Sequence, residues 1–329
     1  MVPLSILDLV PVVQGGTPAE ALRRSLDLAQ HAERFGYTRY WVAEHHNMTG
    51  IACSATSVVI GYLAGGTKTI RMGAGGIMLP NHSPLVIAEQ FGTLASLYPG
   101  RIDLGLGRAP GTDQLTWRAL RRDAEASERF PQDVLELQAL LAPAGENQRI
   151  RAVPGAGTEV PLWILGSSTF GAQLAAALGL PYGFASHFAP GDLDHALEIY
   201  RQRFKPSEQQ QAPYVLTGVN IIAAETDAEA RRLATSQQMS FAGIVRGERK
   251  PMAPPIDDIE TYWTAQEKEH AARMLSCSIV GGPETVRAGM KAFLERTRAD
   301  ELMIVSDMFD PAKRFRSFEL IAKAAAELA

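Results

Sequence analysis

Along its 329 residues this chain alternates short β-rich runs, eight in all, with longer stretches of helical periodicity. The runs are LSILDLV (4–10), RYWVAE (39–44), TIRMGAGGIML (69–79) and RIDLGLG (101–107), then PLWILG (161–166), YGFAS (182–186), YVLTGVNIIAA (214–224) and ELMIVSD (301–307). Helical patterns follow at 18–35, 52–64, 84–98, 168–178, 191–204, 227–240, 284–297 and 312–328. Strict alternation specifies a parallel sheet, because parallel neighbours need a crossover between them and a helix supplies it. Eight units is the number that closes a (β/α)8 barrel of the TIM type, with an open doubly wound sheet as the alternative. No shift of composition and no internal repeat divides the chain. One barrel domain over 1–329 is therefore expected, with insertions near 108–160, a helical pair, and 241–280, which contains the polar, Pro-rich RGERKPMAPPIDD.

Composition narrows the partners. Lys and Arg number 32 against 36 Asp and Glu, spread along the chain without a basic block, so nucleic acid and membrane surfaces find no electrostatic footing. Two cysteines, Cys53 and Cys277, match no metal spacing and suit a reducing compartment. The first residues lack a basic segment and a cleavage signature, and the apolar stretch around 51–64 is too short to span a bilayer. The expectation is a cytoplasmic protein without a metal.

In a barrel the carboxyl ends of the strands carry the active site. The second run ends in Glu44, His45 and His46. Neighbours on an extended chain point to opposite sides, so only one of the two imidazoles can face the mouth. Adjacent histidines do not make the paired ligands of a metal helix or strand. The third run, MGAGGIMLPNHSP (72–84), holds three glycines, which close approach of another group or a β-bulge explains. In LGLGRAPGTD (104–113) the glycine spacing is not that of a dinucleotide loop. What remains is Arg108, just past a strand end in a glycine-opened loop and suited to an anion. Other helices begin with their own carboxylate, as in TPAE, TDAE and GPET, whereas GSSTFGAQLAAALGLP (166–181) contains no acid. Its free N–H groups and dipole suit a phosphate, although an ordinary serine cap fits the same residues. A planar ligand with a phosphate satisfies all of this. Flavin mononucleotide and pyridoxal phosphate both qualify, but the second needs a Schiff-base lysine and every lysine falls outside the strand ends.

The segments AEHHNMTGIACSATSVVIGYLA, GGIMLPNHSPLVIAEQFGTLASLYPGRIDLGLGRAPG and LGSSTFGAQLAAALGLPYGFASHFAP, in this order, resemble the bacterial luciferase-like flavin monooxygenases over nearly the whole chain. The resemblance implies a TIM barrel that takes reduced FMN and O2, often from a separate flavin reductase, acts on a small organic substrate and forms a homodimer. Some relatives use the deazaflavin F420 for hydride transfer instead, and a flavin-binding protein without catalysis is a further alternative. By the same resemblance the active-site histidine falls on His45; Glu44 beside it is placed to fix the histidine's tautomer or its position. A non-prolyl cis peptide under the flavin ring falls on Gly75 and Gly76, and the phosphate site on Arg108, Ser167, Ser168 and Gly171. His187, in ASHFAP, is a candidate for the substrate side. Luciferases carry a cysteine before the arginine, where this chain has Gly107, so light emission is not implied.

Overall fold

The structure, a computed structural model, describes residues 2–109, 112–122 and 124–328. In chain order it runs β1 (Leu4–Asp8), α1 (Pro18–Arg34), β2 (Arg39–Val42), α2 (Thr56–Gly65), β3 (Arg71–Met78), α3 (Pro84–Leu97) and β4 (Ile102–Gly107). Then come α4 (Gln114–Ala119), α5 (Phe130–Leu141), β5 (Leu162–Gly166), α6 (Thr169–Leu178), β6 (Tyr182–Phe184), α7 (Leu193–Arg203) and β7 (Val215–Ala223). The last third holds α8 (Asp227–Val245), α9 (Ala265–Met274), β8 (Ile279–Gly281), α10 (Pro283–Thr297), β9 (Glu301–Val305) and α11 (Pro311–Ala326). All pairings between the named strands are parallel. The order β6-β5-β4-β3-β2-β1-β9-β7 is closed by β6 on β7, giving an eight-stranded barrel. The short β8 lies outside that ring, paired only with the end of β7 through Ile221–Ala223.

Helix starts follow the local chemistry. Thr17 accepts the Glu20 N–H at 3.2 Å while Glu20 accepts the Thr17 N–H at 2.8 Å, a capping box that sets the first turn of α1. Thr226 caps α8 by accepting the Glu229 N–H, and Thr264 with Glu267 forms a second capping box at α9, a helix not among the expected elements. The Pro-rich stretch between α8 and α9 is largely irregular, as expected. Part of it straps the barrel mouth: Met252 pairs with Val12 and Gln14 through backbone bonds of 2.9 and 2.8 Å, and Thr49 donates to the Arg249 carbonyl at 2.8 Å.

The main apolar core lies between strands and helices. A second cluster fills the barrel interior with Leu7, Trp41, Ala43, Trp163, Leu216, Met303 and Val305. Trp41 and Trp163 meet edge to face, 5.2 Å between centroids. This interior packing bears directly on the glycines of β3. A side chain at Gly73 would come within 2.5 Å of Trp41 Nε1, and one at Gly75 within 2.7 Å of Leu7. The close approach inferred from sequence is thus made, in large part, by the barrel's own side chains.

Beneath the tryptophans the amino end of the barrel is closed by charge. Asp103 accepts from Arg39 at 2.8 Å, Arg71 at 2.6 Å and Trp41 Nε1 at 3.2 Å. Glu301 accepts from Arg39 at 3.0 Å, from Tyr214 at 2.8 Å and from Ser5. Two arginines and two fully buried carboxylates cancel, and each carboxylate has several donors, the condition under which buried charge is tolerated.

Candidate active site

At the opposite end β2 runs out into Glu44, His45 and His46. Glu44 is almost wholly buried, and its carboxylate gathers donors from β3 and the turn after it. His46 Nε2 lies at 2.8 Å, His82 Nε2 at 2.9 Å, Asn81 Nδ2 at 3.1 Å and the Met78 N–H at 3.0 Å. Burial alone would push this carboxyl up, but the bonds from His46, His82 and Asn81 outweigh it and hold it at about 2. Sequence reasoning sets Glu44 on His45; the structure sets it on His46 and His82. Its work is to bind the end of β2 to the end of β3. Asn81 continues the linkage, accepting from Trp117 Nε1 at 3.1 Å, while its carbonyl accepts from Arg122 at 3.1 Å.

The two adjacent histidines diverge, as an extended chain requires. His46 turns to Glu44, while His45 is close enough to His187, beyond β6, for the charges to interact. Burial, and then His45, pushes His187 down to about 4, so its imidazole is neutral near pH 7. Its Nδ1 is enclosed without a hydrogen-bond partner and lies over Gly218, where any side chain would strike the ring. Asn220 donates to the His187 carbonyl and in turn accepts from Gln237 at 3.0 Å. Residues from β7 and α8 therefore fix this histidine.

Arg108 follows β4, its guanidinium 4.0 Å above the ring of Phe170 in the first turn of α6. Gly111, from the same expected loop, lies outside the described residues. The start of α6 has no acid, and its cap residue Ser168 makes no side-chain capping bond. The starts of α2 and α3 share both properties, so the missing carboxylate is less distinctive than the sequence suggests. The stacked arginine distinguishes α6. Ser167 and Ser168 are partly buried there, and a side chain on Gly171 would press on Tyr182, 3.2 Å away. Tyr182 also donates to the Ser168 carbonyl at 3.1 Å. Between the two groups, β3 carries a cis peptide at Gly75–Gly76 and a shift of register against β4 at the same place.

A strand-end histidine pair, a glycine cis peptide and an arginine at a bare helix start thus share one mouth. Residues 3–301 match the family model for the Luciferase-like monooxygenase. The chain belongs to the luciferase-like monooxygenase family. It is 56% identical over 320 residues to the protein YvbT of Bacillus subtilis (strain 168), covering 97% of this chain and 95% of that one. It is 52% identical over 325 residues to a luciferase-like monooxygenase of Escherichia coli (strain K12), covering 98% and 97%. Among solved structures the apo form of MsnO8 superposes with a TM-score of 0.88 at 35% identity, over 100% of this chain and 99% of that one. Two more distant structures share the fold alone. They are the oxygenating constituent of 3,6-diketocamphane monooxygenase from Pseudomonas putida in complex with FMN, with TM-score 0.73 and 17% identity over 99% and 98% of the two chains, and an F420-dependent secondary alcohol dehydrogenase, with 0.70 and 16% over 98% and 98%.

Sequence reasoning missed His82, Asn81 and Trp117, which complete the Glu44 cluster. His82 stands two residues past Pro80 in LPNHSP, where a second imidazole after a glycine-rich strand is the one available signal. Both cysteines are buried and unbonded, and burial together with Asp8 pushes Cys53 up to about 12, an inert thiol. Among the described residues no group of three or more metal-ligating side chains is found, and no helix is long and apolar enough to cross a membrane.

Proposed function

We propose that this family member is a flavin-dependent monooxygenase, a single barrel domain with two insertions, that takes reduced FMN and O2 and oxidises a small organic substrate, with a separate reductase supplying the flavin. The observation that carries the reading is Arg108 stacked on Phe170 at the start of α6, which joins a cation to a helix end without an acid of its own. Together these suit a phosphate dianion. The free N–H groups of Ser167 to Gly171 and the Arg108 guanidinium hold it. The backbone at Gly75 and Gly76, bare of side chains, faces the ring. Reduced FMN, when bound, supplies the two electrons that activate O2.

The chain's own groups supply orientation, dryness and proton control. His187 is neutral and fixed, and His45 beside it acts as the acid–base group. Glu44 acts through position: by tying β2 to β3 it sets where His45 stands relative to Gly75–Gly76. The strap at 249–252, laid over the chain after β1 and β2, serves as a lid that keeps water from the mouth. His187 lines the substrate side. The exposed apolar residues Val58 and Tyr62 on α2, with Val86 and Leu97 on α3, form the face through which two copies pair; light scattering of Tyr62→Lys against the parent chain tests it by loss of the dimer.

Calorimetry with reduced FMN under nitrogen, followed by oxygen uptake with a flavin reductase and a substrate panel, tests the whole reading. Binding followed by substrate-coupled O2 consumption is the expected result. Turnover that persists without oxygen would replace oxygenation by hydride transfer, with F420 as the next cofactor to try. Tight binding without turnover on any reductant would leave a flavin carrier, and absence of binding in both redox states would end the proposal.

A further inference from the structure

The imidazole of His187 is held from its backbone. Its Nδ1 is enclosed without a hydrogen-bond partner, and the ring meets Phe188 edge to face, 5.0 Å between centroids, while lying over Gly218. The polar ties are made by the residues around the ring. Ser186 Oγ donates to the Gly218 carbonyl at 2.6 Å, and Asn220 Nδ2 donates to the His187 carbonyl. Asn220 Oδ1 accepts in turn from Gln237 Nε2 of α8 at 3.0 Å. Both amides are almost wholly buried, at 2% and 3% exposure. Two apolar side chains of like size would fill the same space without the desolvation that two amides cost, so stability alone does not call for the pair. Polarity also makes the pair directional. The His187 carbonyl can only accept, so Asn220 must turn its Nδ2 there and its Oδ1 to α8, and residue 237 must donate. The bonds thus begin on a helix and end on the loop that sets His187 beside His45.

Resting on the oxygenase reading, we propose that Asn220 and Gln237 are positioning residues for its acid–base step: through the His187 carbonyl they keep that imidazole buried beside His45. The buried ring sits at about 4, below its ordinary 6.5, because burial and then His45 oppose its charge. Released into water, it moves back toward the ordinary value and sets a second positive charge against His45.

The first measurement uses the full chain with isotopically labelled histidine and no flavin, and follows the nitrogen resonances of its seven imidazoles from about pH 5 to 8. His187 is assigned by the signal lost in His187→Gln. In the parent it should stay neutral over this range. Asn220→Leu and Gln237→Met keep side-chain size and remove the bonds, and in them the His187 midpoint should rise by about one to two pH units. The rise should be larger in Asn220→Leu, which takes the bond to the carbonyl itself. Gln237→Asn keeps an amide too short to reach and serves if the apolar variants do not fold. The second measurement is reoxidation by O2 of reduced FMN on the same chains, followed by absorbance against pH. The acid limb of its rate should move down by about half a pH unit, because a second imidazolium opposes a proton on His45. A purely structural role for the amides would move the urea midpoint and neither of these readouts. Failure of the oxygenase reading shows as a parent chain that binds no reduced FMN, and it removes the acid–base step. Failure of the positioning role shows separately, as a His187 signal that titrates in the parent or is unmoved in every variant, or as an unmoved rate profile in a variant whose His187 titrates.

Discussion

The two ends of the barrel handle polar groups in opposite ways. At the amino end Arg39, Arg71, Asp103 and Glu301 neutralise one another, and Ser5, Tyr214 and Trp41 occupy the remaining acceptor sites. At the carboxyl end Arg108 meets an aromatic face and, among the described residues, no carboxylate; Ser168 leaves its cap bond unmade; His187 Nδ1 has no partner. A polar network complete in itself contributes to stability and has nothing to offer a ligand. An incomplete one gives up stability and is completed by what binds. The mouth has one complete patch of its own, the Glu44 cluster, which ties the end of β2 to the end of β3.

Substitutions can break or sharpen this contrast. The largest effect is expected at the open end. His45→Ala should lower turnover by about 10²–10⁴-fold, the usual worth of an acid–base group, and leave the urea midpoint unchanged. A stability loss in place of a rate loss would put His45 with the structural groups. Next comes the closed end, where Asp103→Leu takes the carboxylate from Arg71 and leaves Arg39 with Glu301 alone, and should cost about 3–5 kcal/mol in urea unfolding. Affinity for reduced FMN in the surviving folded fraction should not move, and a loss of affinity would show that the two ends are not independent.

Glu44→Gln addresses the support. The folded carboxyl sits at about 2 against an ordinary 4.5. Its contribution is therefore complete above about pH 4.5 and is lost as pH falls from there toward 2. The size is on the order of 3 kcal/mol at neutral pH. The variant should be less stable at pH 7 by about that much and lack this part of the acid transition; an unchanged acid limb in a pH series of unfolding curves would refute the assignment. Smallest is Arg108→Ala, which removes one charge-assisted contact and should weaken reduced FMN about 10–100-fold by calorimetry, with turnover at saturation nearly intact.

Residues that share a local pattern are legible in the sequence alone. All eight barrel strands, and a helix after each except β4, whose connection reads as an insertion with a helical pair, are marked by short-range periodicity, because a strand or helix is decided within about ten residues by which side chains must be buried. The exceptions are instructive. β8 is three residues, IVG, too short for a period, and exists only because the end of β7 offers it an edge. The helix α9 carries a clear capping box, TAQE, but follows a proline-rich stretch that masks it. At the mouth, the Glu44-His45-His46 run, Arg108 and the start of α6 can be named from sequence because each stands at the end of a strand or the beginning of a helix; which of the two histidines turns to Glu44 cannot. The partner of Glu44 cannot be: its carboxylate reaches His82, 38 residues on, across the β2–β3 pairing.

The sequence by itself determined the barrel, the end at which its chemistry collects, and the residue types present there, since these follow from local periodicity and from where strands stop. Only the tertiary structure decided which groups meet. Ser5, Arg39, Arg71, Asp103 and Glu301 look like unrelated strand-start residues until register brings them into one neutral plug. Nothing in the sequence says that the β3 glycines lie against Trp41 and Leu7, which only barrel closure brings to Gly73 and Gly75. Ion pairs and close packing depend on separations of a few ångströms between residues far apart in the chain, and only strand register and barrel closure set those separations.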